Sequence, residues 1–67
     1  MSRVIYKRTE RRVVKKMKDG KEVTKEYILH HVTFSNGDSR IIFQKDDKVY
    51  SYDPSKRDDL EEILKDF

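Results

Sequence analysis

Residues 27–43, YILHHVTFSNGDSRIIF, read as two strands joined at Asn36-Gly37. Asn-Gly is the strongest short hairpin signal, because a type I′ turn needs positive φ at both central residues and these two adopt it at least cost. With Asn36 and Gly37 as the whole loop, Ser35 faces Asp38, Phe34 faces Ser39, Val32 faces Ile41 and His30 faces Phe43. Side chains alternate between the two faces of a strand. This register therefore collects Ile28, Val32, Phe34, Ile41 and Phe43 on one face, which is the expected core.

On the N-terminal side, Asp19-Gly20 is a second two-residue turn signal. It joins residues 3–18, rich in Val, Ile, Tyr and Thr, to residues 21–34. In simple register Lys18 meets Lys21, Val14 meets Lys25, Arg12 meets Tyr27, Arg8 meets His31 and Ile5 meets Phe34. The adjacent pairs Val4-Ile5 and Val13-Val14 break a plain alternation, so a bulge is expected near Thr9–Arg12. So long a hairpin is expected to twist and fold over the open face of the sheet.

On the C-terminal side, Asp46-Asp47 joins strands at residues 39–44 and 48–52, with Phe43 opposite Tyr50 and Ile41 opposite Tyr52. Residues 55–67 read as a helix, with Ser55 as N-cap, Pro54 blocking upstream continuation and carboxylates in the first turns. Leu60, Ile63, Leu64 and Phe67 form one apolar stripe that should lie on the core face. The expected fold is a single domain over residues 1–67, α+β or mainly β. It is a strongly bent antiparallel meander of four to five strands with a C-terminal helix, either an SH3-like or OB-like small barrel or an open curved sheet. On an open sheet this register leaves Val4, Tyr6, Val14, Val23, Tyr27, Leu29, Ile42 and Val49 outside, a large apolar area that asks for a cover.

The chain has 67 residues, 43% of them charged and 34% hydrophobic, and no cysteine. So short a chain buries little surface, and without cysteine neither a disulfide nor a thiolate zinc site can staple it. No apolar run is long enough for a membrane helix, and the expected setting is the cytoplasm. Charge is divided unevenly. Residues 1–31 carry ten Lys and Arg against four Asp and Glu, and residues 32–67 carry six against nine. A basic half beside an acidic half gives a directed electrostatic surface.

Catalytic and metal chemistry find little footing. His30 and His31 are adjacent on one strand, so they point to opposite faces and cannot chelate one ion together; no carboxylate lies in cross-strand reach of them in the simple register. Asp46-Asp47 suits a turn, and Asp58-Asp59 and Glu61-Glu62 suit the start of a helix. Phosphate-loop, nucleophile-elbow and zincin motifs are lacking. The expectation is a non-enzymatic module with no cofactor and no metal. The basic residues are the one feature with binding potential. Tyr6, Arg8, Arg12, Lys16, Lys25, Tyr27 and Arg40 share the outer face in this register, while Lys7, Arg11 and Lys15 point the other way. Cations interleaved with aromatics suit nucleic acid, or another acidic partner. The same cations also serve to blunt an edge strand against aggregation.

Two other readings stand beside this one. The first is an idealised or de novo designed β scaffold with no natural ligand, because both glycines and the single proline sit where turns and helix starts want them. The second is a small phage-type inhibitor that works through protein interaction; on every reading the chain is expected to be a monomer, or a weak homodimer through its outer sheet face. Element order, length and net positive charge resemble those of the small basic archaeal chromatin proteins; their sheet tryptophan has no counterpart here.

Overall fold

The structure, a computed structural model, describes residues 2–67. Four strands and one short helix follow in chain order: β1 (Val4–Lys18), β2 (Lys21–Phe34), β3 (Ser39–Lys45), β4 (Lys48–Tyr52) and α1 (Leu60–Lys65). The strands form one antiparallel sheet in the order β1-β2-β3-β4, so β1 and β4 are both edges and the sheet is open. The barrel closure expected as one alternative is not seen. The molecule measures 49 × 20 × 18 Å, and its radius of gyration is 13.9 Å, against about 11 Å for a compact chain of this length. The long β1–β2 hairpin thus runs outward instead of folding back over the sheet.

Two of the three turns follow their local chemistry. Asp19 and Gly20 take φ of 52° and 75°, and Asp46 and Asp47 take 51° and 66°. Both are two-residue loops with positive φ at both positions, the I′ geometry that matches strand twist. Their registers are the expected ones, Lys18 opposite Lys21 and Phe43 opposite Tyr50.

The third turn corrects the expectation. In the Asn36-Gly37 loop only Gly37 has positive φ, 88°. The Gly37 amide donates to the Phe34 carbonyl at 3.0 Å, and the Phe34 amide donates to the Asp38 carbonyl at 2.8 Å. The loop therefore holds three residues, Ser35 to Gly37, in the pattern of a type I turn followed by a left-handed glycine. The Asn36 side-chain oxygen accepts from the Asp38 amide at 3.0 Å and supports the bend. One added loop residue slips the register by one. Val32 faces Arg40, His31 faces Ile41 and His30 faces Ile42, instead of Val32 facing Ile41 and His30 facing Phe43.

A slip of one turns every side chain of a strand to the other face. The buried cluster accordingly takes Tyr27 and Leu29 from β2, with Val14, Ile41, Phe43, Tyr52 and Leu64. Ile28 and Phe34, expected inside, lie on the opposite face, and Val32 is buried there apart from this cluster. Tyr27 meets Phe43 edge-on with ring centres 6.4 Å apart, and Phe43 stacks on Tyr50 at 5.1 Å. This helix-covered side is the inner face of the sheet.

Two further expectations move. The irregularity in β1 lies between Val4 and Tyr6, not near Thr9–Arg12, so Val4 rather than Ile5 meets Phe34. The helix spans Leu60–Lys65, much shorter than 55–67. Asp53 explains the delay: its carboxylate accepts from the Ser55 amide at 3.0 Å and the Ser55 hydroxyl at 2.7 Å, and its carbonyl accepts from the Lys56 and Arg57 amides. Ser55 is thereby held in a turn around Pro54 and caps nothing. The expected stripe survives: Leu64 is fully buried, and Leu60, Ile63 and Phe67 pack against the cluster.

Candidate nucleic-acid interface

The slip in register also rearranges the basic residues. Tyr6, Arg8, Arg12, Lys16, Lys25 and Tyr27 do share one face, but it is the inner face that carries α1. Arg40, paired with Val32, lies on the other.

Several of the seven are occupied in holding the fold. Tyr27 is buried, and its hydroxyl donates to the Leu64 carbonyl at 2.8 Å, which ties β2 to the helix. Burial raises its phenol pKa. Arg12 donates to Glu10 at 2.7 Å and also reaches Glu61 of the helix. Lys25 pairs with Asp46 at 3.0 Å, and the hydrogen bond raises the pKa of the amine and lowers that of the carboxyl. Arg40 is held by Asp38 at 2.6 Å and Asp53 at 2.9 Å. Lys16 donates to the Lys65 carbonyl at 2.9 Å, and its ammonium sits 4.7 Å from the centre of the Phe67 ring. Tyr6 and Arg8 remain exposed near the other end of β1.

A histidine reading also changes. His31 lies 2.8 Å from Glu10, diagonally across the β1–β2 ladder, where no carboxylate was expected. Hydrogen bonds from Arg12 and then His31 hold the Glu10 carboxyl down at about 2. The Glu10–Arg12–His31 group is a hydrogen-bonded network on the inner face, and Arg12 joins it to Glu61 of the helix. Among the described residues no group of three or more His, Asp or Glu is placed to hold a metal ion.

Seven of the sixteen Lys and Arg side chains have a carboxylate partner: Arg11, Arg12, Lys25, Arg40, Lys45, Lys56 and Arg57. Nine are left without one among the described residues. Four of those nine, Lys15, Lys16, Lys18 and Lys21, sit together at the end of the β1–β2 ribbon. Lys18 and Lys21 lie directly opposite each other, an arrangement that costs stability through like-charge repulsion. Asp19 and Glu22 are the only carboxylates between residues 15 and 24. The β2–β3 ladder stops at His30, so this end of the ribbon extends past the rest of the sheet. Sequence reasoning found Lys16 but passed over Lys15, Lys18 and Lys21. The run KKMKDGK, with lysines on both sides of a turn, was the signal available. A scan of protein-family models matches none to this chain, and searches of curated proteins and of solved structures likewise return no match.

Proposed function

We propose that the chain is a non-catalytic binding module that grips nucleic acid with the end of its β1–β2 ribbon. The observation that carries this reading is the cluster of three exposed lysines without carboxylate partners among the described residues, Lys15, Lys18 and Lys21, on a narrow projecting hairpin. Cations already paired with carboxylates gain little from a phosphate, whereas free ones release counterions on binding it. A two-stranded ribbon also fits the width of a duplex major groove. A protein partner suits this end less well. Tight protein interfaces are anchored by buried aromatic or Arg side chains, and residues 15–24 contain neither. Of the residues first considered, Lys16 lies nearest the ribbon end, but its ammonium is engaged by the Lys65 carbonyl and the Phe67 ring. Arg8 and Tyr6 lie further along β1, and Arg12, Lys25, Tyr27 and Arg40 act by supporting the fold.

Fluorescence-anisotropy titration of a duplex and a single strand at about 50 and 200 mM salt tests this. Binding should weaken steeply across that range. The Lys15→Ala, Lys18→Ala and Lys21→Ala variants should each lower the salt slope by about one, where the replaced lysine meets one phosphate. No binding to either strand form at the lower salt, or binding unchanged in the triple variant, removes the reading.

A further inference from the structure

The helix covers only one side of the sheet. On the opposite side the register aligns Val4, Val13, Met17, Ile28 and Val49, all of which keep about half or more of their surface exposed; Val49 keeps 73%. Val32 and Ile42 lie among them and, with Val4, Lys7 and His30, form a hollow of about 430 Å³. Monomeric proteins rarely expose contiguous apolar patches beyond a few hundred Å². We propose that this bare outer face is where a second copy of the chain docks, sheet against sheet.

Three observations favour a second copy over another occupant. First, the shape fits. The four-stranded part of the face is continuous across all four strands and carries Val4, Ile28, Val32, Ile42 and Val49, so facing copies cover most of the exposed apolar side chains while the ribbon end projects beyond them. Second, the charges suit self-pairing. A two-fold axis parallel to the strands and between β2 and β3 lays β2 over β3, and β1 over β4, of the facing copy. Lys7 lies level with Val32 and Arg40 in the ladder, and Arg40 binds Asp53 on this same face. Lys7, which has no carboxylate partner among the described residues, then lies over Asp53 of the facing copy. At the axis His30 then lies over Ile42, Ile28 over Gln44, and Val32 over the stem of Arg40, whose charge is already held by Asp38 and Asp53. Third, a 67-residue chain without cysteine has few other means of enlarging its core, and association is one of them. A phosphate finds only Lys7 as a cation without a carboxylate partner, among the described residues, on the four-stranded part of this face, because Arg11 is spent on Glu26 and Arg40 on Asp38 and Asp53. Aligned sheet packing would leave the lysines at the ribbon end free at the rim, so this inference stands independently of the nucleic-acid reading.

Sedimentation equilibrium of the full chain from roughly 1 μM to 1 mM tests the proposal. The apparent mass should rise from 8.1 kDa toward twice that value. Ile28→Lys combined with Val49→Lys should hold it at the monomer value throughout. Both side chains are exposed in the single chain, so far-UV circular dichroism of the dilute variant should match the parent. Lys18→Ala with Lys21→Ala should dimerise like the parent. A parent chain that stays monomeric across the range overturns the inference, including the case where Ile28→Lys abolishes binding to some other molecule. Dimerisation that persists in the Ile28→Lys, Val49→Lys variant overturns it as well.

Discussion

Ile28 and Leu29 are neighbours on β2 and nearly equal in apolarity, yet their surroundings are opposite. Leu29 has no exposed surface and touches the helix-covered core, whereas Ile28 keeps 45% of its surface exposed on the bare outer face. Apolar content does not decide between them. The decision comes from the length of the loop joining β2 to β3, since each added loop residue exchanges the two faces. The outer face retains enough apolar surface to be a plausible core in the wrong register. The two faces therefore compete for the helix, and the three-residue loop settles the competition.

The strongest way to break this difference is to shorten that loop. Deleting Ser35 leaves Asn36-Gly37 as a two-residue turn and drives β2 and β3 toward the other register. Ile28, Val32 and Phe34 would then oppose the Ile41 and Phe43 face, against the β1–β2 pairing that keeps Tyr27 and Leu29 inward. The deletion should remove most of the roughly 3–5 kcal/mol that a domain of this size holds, read as loss of a cooperative thermal transition. A deletion variant that melts like the parent would mean the loop does not set the register.

A milder contrast comes from truncating the two neighbours separately. Leu29→Ala should cost about 2–5 kcal/mol, because it empties a fully buried site. Ile28→Ala, measured at a concentration where the chain is monomeric, should stay within about 0.5 kcal/mol. Urea denaturation at one protein concentration reads both, and similar costs would erase the distinction between the faces.

The smallest effect expected is electrostatic and confined to the inner face. Glu10 titrates at about 2 in the fold, below its usual value of 4.5, chiefly because Arg12 hydrogen-bonds to its ionised form. A depressed carboxyl contributes stability that is fully present above its unfolded pKa and is lost as pH falls through the folded one. Stability should therefore decline between about pH 4.5 and pH 2, and Glu10→Gln should flatten that part of the profile. An unchanged profile in the variant would show that other carboxylates, such as Asp46 and Asp59, carry the acid sensitivity.

Much of the fold is legible from local chemistry. Asp19-Gly20 and Asp46-Asp47 both take the two-residue loop that their chemistry favours, so the strands they join and their registers are the ones read from the sequence. Asn36-Gly37 admits two loops, because Gly37 serves equally as the second residue of a two-residue turn or the last of a three-residue one. Only packing distinguishes these, through Tyr27 and Leu29 meeting Val14 and Leu64 across long sequence separations. Ser55 likewise has the chemistry of a helix cap, but a neighbouring carboxylate, Asp53, claims it first. The candidate site was less legible than the fold. A lysine or arginine is free or occupied according to which carboxylates the fold brings near it. Arg12 finds Glu61 at a separation of 49 residues, and Lys25 finds Asp46 at 21. No local pattern announces either pairing, so by sequence alone Arg12 and Lys25 pass for available cations while Lys18 and Lys21 are overlooked.

The end of the β2–β3 ladder at His30 has a consequence for how β2 behaves over time. Between Lys21 and Leu29 this strand is laddered to β1 on one side only. Backbone amides of an antiparallel strand point alternately to its two sides. Those turned toward β1 are locked in the ladder, while those turned the other way face a cleft bridged by the Lys25–Asp46 ion pair. Amide deuteration along this stretch should thus alternate, slow and fast on successive residues, and become uniformly slow from His30 to Thr33 where both neighbours are in place. A single strand carries two clocks, one set by each of its edges.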